Sequence, residues 1–236
     1  MDKYYDYLEN TLKTNCYNQT SENNILHFGK DLKFRGYTFK YCIDNLPKNS
    51  VIVELGTHHS YVDGIYEGAD IDDIKYWNPN DCSKWDWGAG CSTLIFGECT
   101  DEGTTVHTID VDSAGLNRCK IMTEPFSHKI KYHLCDSVSF LRNCSPQSID
   151  LIYMDTGYCF PVEETARLQL EEAKVIVQRD LLKSGGFILI DDVRSMYAKI
   201  SNNETTNLGK AKYSIPYFLS NGYKLIIDEY QVLFTK

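Results

Sequence analysis

Five apolar runs of this chain end in carboxylates. Glu54 follows Val51-Ile-Val, Asp110 follows Thr105-Val-His-Thr-Ile, and Asp136 follows Lys129–Leu134. Asp155 closes Ile149-Asp-Leu-Ile-Tyr-Met, and the pair Asp191-Asp192 closes Phe187-Ile-Leu-Ile. If these runs are parallel strands, the acids share the carboxyl rim of one sheet, where open α/β sheets bind their ligands. Acids also cap helix starts, so any one of them has an ordinary structural explanation. A full set on one rim points to chemistry.

The first three suit a ligand with hydroxyls and an amine. Asp110 at a strand tip can accept both hydroxyls of a ribose. Asp136, or the Ser137 hydroxyl, can meet an adenine amine. Gly88-Ala-Gly-Cys-Ser-Thr93 offers backbone N–H groups and the Ser92 and Thr93 hydroxyls at a helix start, which can seat a carboxylate. A dinucleotide site would want G-x-G-x-x-G directly after a strand. Here Thr93 stands where the third glycine belongs, and no strand immediately precedes Gly88 and Gly90. Asp155, Asp191 and Asp192 differ from the rest. Three clustered carboxylates repel one another without a cation, and oxygen-only ligation suits Mg²⁺ or Mn²⁺. The plain alternative is that one acid caps the next segment and another is solvated.

The elements that must position these residues alternate. Strands are expected at Val51–Leu55, Thr105–Asp110, Lys129–Leu134, Ile149–Asp155 and Phe187–Asp192. Helices are expected at Ser92–Glu98, 113–123, Val138–Arg142 and Val162–Leu182, with a turn at Ser184-Gly-Gly186. This alternation implies βαβ units and a parallel sheet. Tyr223–Asp228 and Tyr230–Thr235 read as a closing antiparallel hairpin. Ahead of the sheet, a short helix is expected at Tyr4–Lys13 and one or two more over residues 25–46. The expected organisation is one α/β domain over residues 1–236, with a helical extension over 1–45 and an insertion over about 58–87.

The bulk numbers bound the function. A length of 236 residues fits one such domain. A net charge of −9 disfavours a phosphodiester partner, because the basic residues form no local patch. No apolar run is long enough for a membrane span, and the polar start lacks a signal-peptide core. Nine cysteines without a C-x-x-C pair read as reduced thiols, so a cytoplasmic setting is expected.

Glu54-Leu-Gly56, Asp110, Asp136-Ser137, the Asp155 strand, Gly185-Gly186 and the final hairpin together resemble the class I S-adenosylmethionine-dependent methyltransferases, over about residues 40–236. The resemblance implies a Rossmann-like fold with a seven-stranded, mostly parallel sheet, an antiparallel C-terminal hairpin strand and helices on both faces. It also implies S-adenosyl-L-methionine as cofactor. Asp155 with Asp191-Asp192 is similar to the metal-dependent macrocin O-methyltransferase group, which acts on deoxysugars, whereas catechol-type enzymes carry Asp and Asp-Asn. Carried over by resemblance, Glu54 and Gly56 lie beside the methionine and ribose, Ser92 holds the methionine carboxylate, Asp110 the ribose, and Asp136 and Ser137 neighbour the adenine. Thr57, Gly88 and Gly90 are further candidate cofactor contacts. Two features depart from the pattern. Gly56 and Gly90 are 34 positions apart, and Asp155 is followed by Thr-Gly-Tyr-Cys instead of the lysine of catechol-type enzymes. The general base is therefore not assigned by resemblance.

The inserted segment holds all three tryptophans, Trp77, Trp85 and Trp87. They either pack the loop onto the domain or line an acceptor pocket, where a sugar ring would lie well on indole. Tyr158, just past Asp155, joins them as a candidate substrate contact. His58 and His59 at the mouth of the first strand are candidate bases; their bland reading is as anchors of the insertion. The expected activity is methylation of a sugar or glycan hydroxyl, with Asp155 catalytic and Asp155, Asp191 and Asp192 holding the metal. The alternatives are a catechol-like phenol acceptor, or a non-catalytic cofactor-binding module. Relatives often form dimers or larger oligomers, and residues 1–45 could supply such an interface.

Overall fold

The computed structural model describes residues 20–22, 25–27, 35–57, 60–61, 73–80, 85, 91–158, 161–194 and 208–236. The helix expected at Tyr4–Lys13 lies outside them. Among the described residues nine strands form one sheet: β1 (Thr20–Glu22), β2 (Ile25–His27), β3 (Val51–Leu55), β4 (Thr105–Asp110), β5 (Ile130–Leu134), β6 (Ile149–Met154), β7 (Leu182–Ile190), β8 (Lys224–Asp228) and β9 (Val232–Thr235). Their order is β1-β2-β8-β9-β7-β6-β3-β4-β5. Strands β3 to β7 pair in parallel, and β9 enters antiparallel between β7 and β8. The seven strands β3 to β9 are the expected mostly parallel sheet with its antiparallel hairpin.

Two details differ from the sequence reading. One or two helices are expected over residues 25–46; the helix α1 spans Arg35–Asn45, and Ile25–His27 is instead a short strand beside β8. A three-residue strand carries too little periodicity to be seen in sequence. Gly185 and Gly186 do not form a turn ahead of the fifth parallel strand; they lie inside β7, where pairing with β6 shifts between Ile149 and Leu151. Gly185 takes φ +76°, which lets the strand absorb that irregularity.

The core follows from strand alternation. Val53, Leu55, Ile152, Met154, Ile188 and Ile190 face one side, and Ile52, Leu151, Tyr153 and Leu189 the other. On the first side lie α4 (Ser137–Asn143), α5 (Val162–Gln178) and α6 (Ser214–Ser220), through Leu141, Ile176 and Phe218. On the second lie α1 and α2 (Ser92–Cys99), through Phe39 and Phe96. Helix α3 spans Ser113–Met122. All six residues of β6 are buried, and each large apolar one contributes roughly 1.5–3 kcal/mol. That rigid central strand carries Asp155 at its tip.

Candidate active site at the carboxyl rim

The central strands bring three acids together. Leu55 pairs with Met154 and Met154 with Ile190, so Gly56, Asp155 and Asp191 leave the sheet side by side. Gly56 has φ +93°, and a Cβ there would stand 2.7 Å from the Asp155 carbonyl oxygen. Only glycine allows β3 to turn away this close to β6. Adjacent strand residues normally face opposite sides. Asp192 lies past the end of β7 with φ +55°, and its N–H donates to Asp191 Oδ1 at 2.8 Å. This left-handed turn, which Asp tolerates better than most residues, swings Asp192 back towards Asp191. Carboxylate oxygens of Asp155, Asp191 and Asp192 lie within 4.8 Å of one another.

The trio comes with its own cations, which the sequence reading did not include. Arg35, at the start of α1, places Nε 2.9 Å from Asp191 and Nη2 3.1 Å from Asp192. Lys210, in the 3₁₀ turn Gly209–Ala211, places Nζ 2.6 Å from Asp155 and 2.9 Å from Asp192. Tyr153 donates to Asp191 Oδ2 at 2.6 Å, and Tyr230 donates to Asp192 Oδ1. The Arg35 guanidinium also lies 5.0 Å from the centre of the Tyr230 ring. Tyr153 shared a face with Asp155 two positions on, so alternation could have pointed to it. Arg35 and Lys210 sit in segments with no readable pattern.

Electrostatics follow from this arrangement. Burial pushes the Asp155 carboxyl up, opposed by Lys210 and reinforced by Asp191 and Asp192. Although burial disfavours its charge, Asp192 is held well below the usual carboxylate range by Lys210, Arg35 and the Tyr230 hydroxyl. Burial would lower Lys210, but the three aspartates outweigh it and keep the ammonium charged.

The expected cofactor residues occupy the same rim but are engaged with one another. Glu54 is fully buried and accepts from both the Ser92 and Thr93 hydroxyls, tying α2 to the end of β3. Burial pushes its carboxyl up to about 7. Asp110 accepts from the Thr57 N–H at 2.9 Å through one oxygen and from the Asp112 N–H at 2.8 Å through the other. A carboxylate offers about four lone-pair directions, so each oxygen keeps one for a ligand hydroxyl. Asp136 caps α4 by accepting from the Ser139 N–H at 2.8 Å, which holds it below the usual range. Ser137 donates to Glu172 of α5, which also accepts from Thr156 at 3.0 Å and is pushed up to about 7 by burial.

His58, His59, Gly88, Gly90 and Trp87 lie outside the described residues. Trp85 is 2% exposed, stacks on Trp77 at 4.9 Å and donates to the Asn78 carbonyl at 2.9 Å. It forms a small apolar cluster with Tyr61, Cys91, Leu94 and Met122. Its packing role, one of the two readings of these tryptophans, is therefore visible. Trp77 is half-buried and lines a surface cavity of about 500 Å³ beside Met122 and Phe126. Tyr158 is 70% exposed on the rim after Asp155. A second cavity, about 450 Å³ and mostly apolar, lies between α4 and the sheet near His107 and His133, among residues that include the opening positions of β3 and β6. It is remote from the carboxylates.

The order of strands β3 to β9 and the antiparallel closing hairpin are those of the Rossmann-like methyltransferase fold. Solved structures with this fold include a methyltransferase from Geobacter sulfurreducens, 12% identical, covering 100% of this chain and 88% of that one, with TM-score 0.50. A candidate methyltransferase from Streptococcus mutans, solved in complex with SAH, is 14% identical over 85% of this chain and 96% of its own, with TM-score 0.53. A candidate rRNA methylase from Clostridium thermocellum is 10% identical over 89% and 97%, with TM-score 0.52. No protein-family model matches the chain, and no curated protein matches it in sequence. Among the described residues, no helix is long and apolar enough to cross a membrane.

Proposed function

We propose that this chain is an S-adenosylmethionine-dependent O-methyltransferase whose acceptor is a hydroxyl of a sugar or glycan. The observation that carries this reading is Asp155. It stands at the tip of the central strand of a methyltransferase fold, buried enough to hold a proton more readily than a free carboxylate, yet with its side chain 21% exposed. Asp110, with a lone pair left on each oxygen, suits the ribose hydroxyls.

The bound cofactor would supply a methyl group made electrophilic by its sulfonium. The protein's share is to align the acceptor oxygen with that methyl carbon and to take the hydroxyl proton. Asp155 Oδ2 is suited to the second task, since the Tyr153 hydroxyl, 3.4 Å away, gives its one proton to Asp191. Lys210 on Oδ1 holds the carboxylate in place. His58 and His59 remain candidates for the same proton. Tyr158, Trp77 and Trp87 are proposed acceptor contacts, and Trp85 stacks on Trp77. A metal-dependent version of this reading draws support from the convergence of the three aspartates. The donor chemistry suits a hard ion, but the Lys210 ammonium and the Arg35 guanidinium already stand among the three carboxylates, so the arrangement does not fit one and no step is assigned to it.

The rRNA methylase among the structural neighbours raises a nucleic-acid acceptor as a second reading. The net charge of −9 argues against it. The deciding experiment is transfer of labelled methyl from S-adenosylmethionine to sugars and glycans, simple phenols and RNA, beside calorimetry with S-adenosylhomocysteine. Product on sugar or glycan hydroxyls alone is expected. Absence of cofactor binding would overturn the methyltransferase reading, and product only on phenols or RNA would overturn the acceptor.

A further inference from the structure

The geometry points to an acidic trio that carries permanent internal counter-cations in place of a divalent ion. Five of the six carboxylate oxygens of Asp155, Asp191 and Asp192 have a protein donor. Asp155 has Lys210 on Oδ1; Asp191 has the Asp192 N–H on Oδ1, with Tyr153 and Arg35 on Oδ2. Asp192 has Tyr230 and Arg35 on Oδ1 and Lys210 on Oδ2. The two cations arrive from opposite faces of the sheet. Arg35 comes from α1, whose Phe39 and Cys42 pack on one face, and Lys210 from the turn whose Ala211 packs on the other.

The position of Lys210 is decisive. Its ammonium bridges Asp155 and Asp192, so it stands between the carboxylates a metal would join. A divalent ion of the Mg²⁺ type needs those oxygens at roughly 2.0–2.1 Å and would meet an ammonium and a guanidinium at contact distance. Lys210 is 2% exposed and cannot swing into water without moving its turn away from α5. Two fixed positive charges against three carboxylates leave the cluster one negative charge, a far smaller repulsion than three. Lys210 is therefore a positioning residue, fixing Asp155 and Asp192 at the rim.

This inference concerns cation binding and does not depend on methyl transfer, so the two fail separately. The test is titration of the full chain with Mn²⁺, reading free Mn²⁺ by electron paramagnetic resonance, for the wild type, Lys210→Met and Asp155→Asn. The wild type is expected to show no saturable one-to-one site at sub-millimolar Mn²⁺. Lys210→Met is expected to gain one, tighter by about ten-fold or more, as the carboxylates lose a competing cation. A saturable wild-type site that disappears in Asp155→Asn would overturn the proposal. A folded Lys210→Met without a new site would overturn the role given to the lysine. Should Lys210→Met not fold, the wild-type and Asp155→Asn pair still decides the question.

Discussion

Lys210 Nζ stands 2.6 Å from Asp155 Oδ1, joining the turn ahead of α6 to the tip of the central strand across 55 positions. Removing the lysine leaves two partly buried carboxylates facing each other. Breaking a buried pair by deleting one partner costs about 3–5 kcal/mol. Because Asp155 and Asp192 retain some access to water, Lys210→Met should cost about 3 kcal/mol, the lower end of that range. Urea unfolding measures this. In the double variant with Asp155→Asn, part of the loss should return, and strict additivity would show that the two side chains are not coupled.

Stability should also fall as pH rises through neutrality. Glu54 and Glu172 are fully buried, and burial lifts each from 4.5 to about 7. The folded state therefore holds these protons when the unfolded chain has released them. The associated stability is full below about pH 4.5 and is lost as pH rises through about 7, amounting to roughly 3 kcal/mol for each group. Asp192 acts in the opposite sense, losing its contribution only in strong acid. Chemical denaturation at pH 5 and pH 8 should therefore show a smaller difference for Glu172→Gln than for the wild type. Equal pH slopes would contradict the assignment.

Asp110→Asn should weaken S-adenosylhomocysteine binding by at least about ten-fold, since a hydrogen bond to a charged acceptor is worth roughly 1.5–3 kcal/mol. Calorimetry checks this, with a thermal melt to confirm that the Thr57 turn survives the change. Unchanged affinity in a folded variant would remove Asp110 from the cofactor site.

Trp77 and Trp85 should separate in their effects. Trp85→Ala empties a buried position and should cost about 3–5 kcal/mol. Trp77→Ala should cost less, because its ring is half-buried, and its effect should fall on KM for the acceptor more than on stability. Equal destabilisation with an unaltered KM would assign both rings to packing.

Gly56→Ala should disturb the site without touching any charged group. The added methyl would meet the Asp155 carbonyl oxygen at 2.7 Å, on a backbone at φ +93°. A loss of roughly 1–3 kcal/mol is expected from that conformation, with displacement of the β6 tip. Amide chemical shifts at 155 and 156 report the displacement; unshifted signals would mean the turn relaxes elsewhere.

The carboxylate rim was legible because it depends on local rules. Apolar runs ending in Glu54, Asp110, Asp155 and Asp191 identify strands and their carboxyl ends, and alternation with helices makes those strands parallel, so the acids share an edge. The same rules failed where local signal was short or ambiguous. Ile25–His27 is too brief to read, and Gly185-Gly186 looks like a turn although it is an irregularity within β7. Ser92 and Glu54 were each legible as site residues, but their mutual bond was not, since 38 positions separate them.

What periodicity and residue type established was a parallel sheet with its acids gathered at one edge, and the three aspartates among them. What neutralises those aspartates was settled by folding alone. Arg35 and Asp191 are 156 positions apart, and Lys210 reaches Asp155 from a turn without any pattern of its own. Strand and helix signals arise from neighbours in the chain. A counter-charge is chosen by whichever side chain the packed sheet brings within reach of a buried carboxylate, and desolvation makes that choice decisive.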